Sequence, residues 1–257
     1  GKWIFSLDCE GSAIMFMPMV QGGHTGPKPS ITQGGVDFNG SNGQASFTAE
    51  TGVDSGSGPV TVSCMINADT VTSNGGAVTL GGTNTTNMYF GVIGGNSKFY
   101  MGSHTGSMVP SSTISNNTWY WMAFTHTGGA VSNTNTNLYI NGVDNNATVQ
   151  GPWTPVMDGV GWIGRRNDAV FFNGEIAQVS IWDVALNQTN ITAMYNSGTI
   201  LDGLNNFGNY DQASNLIHHF AMDEGSGSSL DDDQQAANAT LSGGYVWTTS
   251  GINVQPT

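Results

Sequence analysis

Five histidines are the first places to look for chemistry, and they do not converge in sequence. His218 and His219 are adjacent in a strand-like run, so their side chains point to opposite faces, which reads as a satisfied or surface pair. His24, His104 and His126 have no acid or nucleophile at a motif spacing. Cys9 and Cys64 are the only cysteines and lack neighbouring histidines, so they cannot make a zinc site; they either pair in an oxidising compartment or remain as buried thiols. No G-x-S-x-G, phosphate-cradling loop or C-x-x-C occurs, and runs such as "GGTNTTN" read as turns. The densest acidic run, "SLDDDQQ" (229–235), reads as a solvated loop, because three adjacent aspartates do not easily close on one ion.

Aromatic side chains are the other chemistry-bearing groups. Trp119 and Trp121 share one face of the run "TWYWMAFTHT" (118–127), and Tyr120, Met122 and Phe124 share the other. One set must be core; the other lies on a concave face suited to sugar stacking or beneath terminal strands. Trp153, between Gly151-Pro152 and Thr154-Pro155, sits in a loop and is expected to be an exposed ligand contact.

The elements that must position these groups are strands. The chain has 257 residues, of which 9% are charged and 38% hydrophobic, with 37 glycines: a folded, loop-rich β-protein. "PVTVSCMINA" (59–68) alternates with Val60, Val62, Cys64 and Ile66 on one face. "NMYFGVI" and "SKFYM" flank a Gly94-Gly95-Asn96 turn, and "TNLYING" ends in Asn141-Gly142, a type I′ turn signal with "NATVQG" as the expected partner. Asn187 is placed to cap a short helix near 187–196. There Ile191, Met194 and Tyr195 form an apolar stripe, expected to close the open end of a sandwich, and Asn196 and Gly198 supply the stop.

Net charge is −13, with Lys2, Lys28, Lys98, Arg165 and Arg166 the only positive side chains, which excludes nucleic-acid binding and disfavours anionic membranes. No apolar stretch approaches the ~18–20 residues that span a bilayer. The absent initiator Met implies processing or excision from a longer chain.

Taken together, "TWYWMAFTH", "NLYINGV", "GWIGRR" and "FFNGEIAQVSIWDVALNQTNITAMYNSG" resemble the second half of a laminin-G-like or pentraxin-like module of the concanavalin A-like lectin/glucanase superfamily. "GVDFNGSNGQASF" and "PVTVSCMINA" resemble its opening strands, and the tail "NLIHHFAMDEGSGSSLDDDQQAANATLSGG" resembles a segment that flanks such modules in bacteriophage structural and bacterial surface proteins. The resemblance implies an all-β antiparallel sandwich of jelly-roll type over 35–200. Residues 1–34 and 201–257 are expected to return to the same body, with "GGHTGPKPS" (22–30) as a surface linker.

The resemblance also implies where chemistry is missing. Glucanases of the superfamily carry E-x-D-x-x-E on one strand, and none of Glu10, Glu50, Glu175 or Glu224 begins that pattern, so the chain is expected not to be an enzyme. Related modules often bind calcium. Here Gly43-Gln44 and Ile176-Ala177-Gln178-Val179 replace the usual acidic positions, leaving Asp144 and Asp168 as weak calcium candidates. Trp153, Asn167, Asp168 and Asn173 are the candidate ligand contacts. Two functions follow: a lectin-like glycan-binding or adhesion module on a virion surface or outside the cell, or a structural assembly subunit contacting its own copies or neighbouring structural proteins.

Overall fold

The computed structural model describes residues 31–48, 57–82, 85–145, 147–157 and 159–257, together with two short pieces, β1 (Ser6–Leu7) and β2 (Ala13–Ile14), which pair with each other. The strand readings of "WIFSLD" and "AIMFMPM", the linker at 22–30 and Cys9 otherwise lie outside the described residues.

In chain order there follow β3 (Ile31–Asn39), β4 (Gln44–Thr48), β5 (Val60–Ala68), β6 (Gly75–Leu80), β7 (Met88–Ile93), β8 (Lys98–Gly102), β9 (Ser107–Val109) and β10 (Trp119–His126). Next are β11 (Thr136–Ile140), β12 (Val143–Asp144), β13 (Thr148–Gln150), β14 (Val160–Ile163), β15 (Asn173–Trp182), the helix α1 (Gln188–Tyr195) and β16 (Thr199–Leu201). The tail supplies β17 (Leu216–Phe220), β18 (Ser229–Leu230), β19 (Ala239–Ser242) and β20 (Tyr245–Gln255).

Two sheets result. The first runs β12-β11-β10-β5-β15-β3-β20-β16, and β17 pairs with the far half of β15. The second runs β13-β9-β8-β7-β6-β14-β4-β19-β18. The fold is an all-β sandwich, as the strand alternation implies. Strand alternation places Val62, Cys64, Ile66, Met122, Phe124, Phe90 and Phe99 in one core between the sheets. A second apolar cluster, with Met65, Trp121, Ala123 and Trp182, lies on the outer face of the first sheet. β10 is therefore covered on both sides, and Cys64 is a buried free thiol.

The helix forms as its sequence directs. The Asn187 side chain accepts from the Asn190 amide at 2.9 Å, satisfying an orphan donor, and Asn196 adopts φ 44° at the C-cap. Ile191 and Met194 are buried, but against Trp121, Trp182 and Ile200. The expectation that α1 plugs the sandwich end is thus corrected: it covers a sheet face. That face carried indoles too large to leave in water. The turn at Asn141 (φ 51°) and Gly142 (φ 76°) forms, yet the partner of β11 is Val143–Asp144, and Thr148–Gln150 crosses to pair with β9 in the other sheet.

The acidic run is corrected as well. Asp232 is buried, with one carboxylate oxygen 2.8 Å from His218 Nδ1 and the other accepting from the His219 amide at 3.0 Å. The Gln234 and Ala237 amides also donate to it. The middle aspartate of three neutralises a turn's free N–H groups, which a composition reading cannot distinguish from a solvated run.

Candidate functional site

The outer face of the second sheet is built by the β7–β8 hairpin. Phe90, Val92, Phe99 and Met101 face the core, so Tyr89, Gly91, Tyr100 and Gly102 face outward. The register sets Tyr89 opposite Gly102 and Tyr100 opposite Gly91, giving each phenol an empty neighbour to lean across. The rings meet edge to face, centroids 5.5 Å apart. Gly91 is required: a Cβ there would lie 2.0 Å from the Gly75 carbonyl oxygen. Cross-strand pairing extends the row from Tyr89 through Thr79 and Trp162 to Ser46 and Thr240.

Arg165 and Arg166 reach this face from the end of β14. A tight turn closes when the Arg166 amide donates to the Val170 carbonyl at 2.9 Å and the Ala169 amide to the Arg166 carbonyl at 3.1 Å. Ala169 sits at φ 60°, a left-handed conformation that costs a non-glycine residue energy. The turn aims the Arg166 guanidinium over the Tyr89 ring, 4.3 Å from its centroid. Arg166 also donates at 2.8 Å to Tyr100 Oη and at 2.8 Å to Asp168 Oδ2. His104 Nε2 lies 2.8 Å from the same aspartate oxygen. Arg165 donates to the Asn167 carbonyl at 3.0 Å and to Gln44 Oε1 at 2.7 Å, while lying over Trp162. Burial pushes the Tyr100 hydroxyl well above its ordinary pKa, so it stays a neutral hydroxyl.

Above this floor opens a cleft of about 550 Å³. Ser103, Thr105, Ser107, Gln150 and Asn74 supply hydroxyl and amide groups at its rim, with Arg166 and His104 on its wall. Its volume suits one or two small rings. None of the described lining residues is a carboxylate, whereas the common retaining and inverting mechanisms of glycoside hydrolysis use a pair of them.

The anticipated site residues scatter. Trp153 is not an exposed contact: it is 5% exposed and belongs to the central core, with Val131 donating to its carbonyl at 2.8 Å. The flanking prolines stiffen a loop that returns from β13 to β14 and drives the indole inward, where burial of so large a surface outweighs its unpartnered Nε1. Asn167 holds the arginine turn, its Oδ1 accepting from Asn87 at 2.8 Å, and Asp168 pins Arg166 and His104. Asn173 begins β15 opposite Asn39 in the first sheet, away from this face.

Calcium does not suit these donors. Asp168 faces a guanidinium, Asp144 lies on β12 at the edge of the other sheet, and among the described residues no three His, Cys, Asp or Glu side chains are placed to hold a metal ion. Sequence reasoning missed Tyr89, Tyr100, Arg166 and His104. The available signal was the alternation of tyrosine with glycine on one hairpin face and the pairing of the chain's only two arginines.

On the opposite side, Trp119, Trp121 and Tyr195 wall a smaller hollow of about 170 Å³ with Asn141 and Asn253. Trp121 is buried there beneath α1, 6.3 Å from the Tyr195 ring, so this tryptophan face is chiefly packing.

No helix of the described residues is long and apolar enough to cross a membrane. A comparison with curated protein sequences gave no significant match. Among solved structures, a candidate carbohydrate-binding protein from Bacteroides ovatus superposes with TM-score 0.59 at 18% identity, over 87% of this chain and 62% of that one. The chain therefore spans less than two thirds of that protein. A heptameric SAP-like pentraxin from Limulus polyphemus superposes with TM-score 0.53 at 14% identity, over 86% of this chain and 95% of that one. At these identities the likeness is one of fold. A laminin-G family model, described as concanavalin A-like lectin/glucanases superfamily, matches residues 39–192, and the chain belongs to that family.

Proposed function

We propose that this chain is a non-catalytic, lectin-like module that binds glycans in the cleft over Tyr89 and Tyr100. One observation carries the reading: an arginine fixed by two tyrosines and an aspartate stands at the wall of an open cleft rimmed with hydroxyls and amides and lined by no carboxylate of the described residues. A sugar presents hydroxyls that both donate and accept, and a flat C–H face. Arg166 and His104 would meet the first, while Tyr89 and Tyr100, each 3% exposed, hold Arg166 from below. Because Arg166 is already locked, little side-chain entropy is lost when a ligand arrives. The family, together with the acidic surface, supports a place outside the cell or on a virion surface.

The test is a glycan array with the intact chain, followed by calorimetry on any hit. Binding that drops about tenfold in His104→Ala, without loss of folding, supports the cleft as the site. No hit with or without calcium overturns the reading, and an unaffected His104→Ala places the ligand elsewhere.

A further inference from the structure

A third cavity, of about 200 Å³, lies on the outer face of the first sheet, where β15 changes partner from β3 to β17. Gln178 marks the change: it adopts φ 52° at the bulge in β15, and its amide nitrogen donates to Gln33 Oε1 and toward the Ala221 carbonyl. Its carbonyl oxygen, on a residue 2% exposed in the cavity wall, has no partner. Three aspartates share the wall. Asp223 accepts from Gln33 at 2.8 Å, Asp202 is occupied by the Leu204 amide and by Thr257, and Asp233 Oδ2 lies 3.6 Å from His219 Nε2. His219 is fully buried, and its other nitrogen is 2.9 Å from Ser180 Oγ. Ser180 is itself 2% exposed, so this Ser–His–Asp series is no nucleophilic triad.

The cavity has carboxylates and, among the described residues, no Lys or Arg to face them. Lys98, Arg165 and Arg166, the positive side chains among the described residues, all bond groups of the second sheet's outer face or its rim. Desolvation, reinforced by repulsion from Asp223, Asp232, Asp202 and Glu224, pushes the Asp233 carboxyl up to about 6. A buried neutral acceptor without a donor, beside exposed carboxylates that no described Lys or Arg faces, describes a site suited to a positively charged donor. A bare metal ion does not fit, since no three His, Cys, Asp or Glu side chains of the described residues converge to hold one, and the space is several times the ~30 Å³ of a water.

We propose that this cavity binds a protonated primary amine, whose three N–H donors go to Gln178 Oε1, Asp223 and Asp233 while Asp202 adds charge. The class includes alkylamines and amino sugars. The site is on the opposite sheet from the tyrosine cleft, so it stands or falls independently of glycan binding there.

The experiment is an NMR titration of the intact chain at pH 7.5 with propylamine and with glucosamine, using propanol as the neutral control. The expected result is saturable shifts at the Gln178 side-chain amide and at His219 with either amine and none with propanol. Asp223→Asn and Asp233→Asn should each weaken binding about tenfold while the remaining spectrum is unchanged. The proposal is overturned if propanol shifts the same signals equally, if calcium chloride shifts them and the amines do not, or if the amines bind both variants as tightly as the parent.

Discussion

On the first sheet, Met65, Trp121, Ala123 and Trp182 point outward and are covered by α1 and by the chain from Thr199 to Leu216. On the second, Tyr89, Tyr100 and Trp162 point outward, and the two tyrosines floor an open cleft. Both faces come from the same period-two alternation. They differ in which polar partner the outward aromatics carry. Trp182 Nε1 donates to Tyr210 Oη at 2.8 Å inside an apolar layer, so it must be sealed. Tyr100 instead bonds a guanidinium, and that charge-assisted pair lies buried directly beneath the polar rim of the cleft. The comparison teaches that in this sandwich the aromatic layer over the first sheet maintains the body, whereas the second sheet leaves a fixed cation at the wall of an open cleft.

The largest effect that would break this contrast is deletion of residues 201–257. It removes β17 from β15, β20 from β3 and β19 from β4, exposing both sheets at once, and cooperative unfolding should disappear in calorimetry. If the 35–200 fragment melted as cooperatively as the parent, the covering layer would be dispensable. Next, Trp182→Ala, at a fully buried position, should cost about 3–5 kcal/mol in denaturant unfolding.

The sealed face should also respond to pH. Burial pushes the His219 imidazole down from 6.5 to about 4, with Asp202 and Asp232 opposing. The unfolded chain takes up the proton first. The stability from keeping this ring neutral is therefore full above pH 6.5 and is lost as pH falls toward 4. Asp233, pushed up to about 6, acts with the opposite sign, losing stability as pH rises from about 4 to 6. Unfolding midpoints of the parent and of His219→Gln should converge as pH is lowered through this window; parallel curves would refute the assignment. Smaller still, Asn187→Ala should cost about 1 kcal/mol by removing the helix cap, without altering binding in the cleft. On the open face, His104→Ala removes one half-exposed ion-pair partner and should change stability by less than about 1 kcal/mol, so its effect is confined to binding.

Much of the body was legible in the residues. The alternation in "PVTVSCMINA" sorts the side chains of β5 between two faces, and the two-sided apolar run "TWYWMAFTHT" marks β10 as a strand covered on both sides, because which side chains share a face depends only on local period. Asn187 and Asn196 bound α1, since a cap is satisfied within three or four residues. What long-range packing alone decided is more telling. Trp153 reads as a loop residue, and its inward turn depends on the core space beside Val131 and Gly106. Asp232 reads as solvated until His218 is brought 2.8 Å away. The tyrosine cleft joins β7, β8 and the arginine turn across 77 residues between Tyr89 and Arg166, and the aspartate cavity joins Gln33 to Asp233. Local sequence dictated the strands and their faces through steric period. Which polar groups meet was set by register and sheet order, because charges and aromatics act over distances that only the folded chain defines.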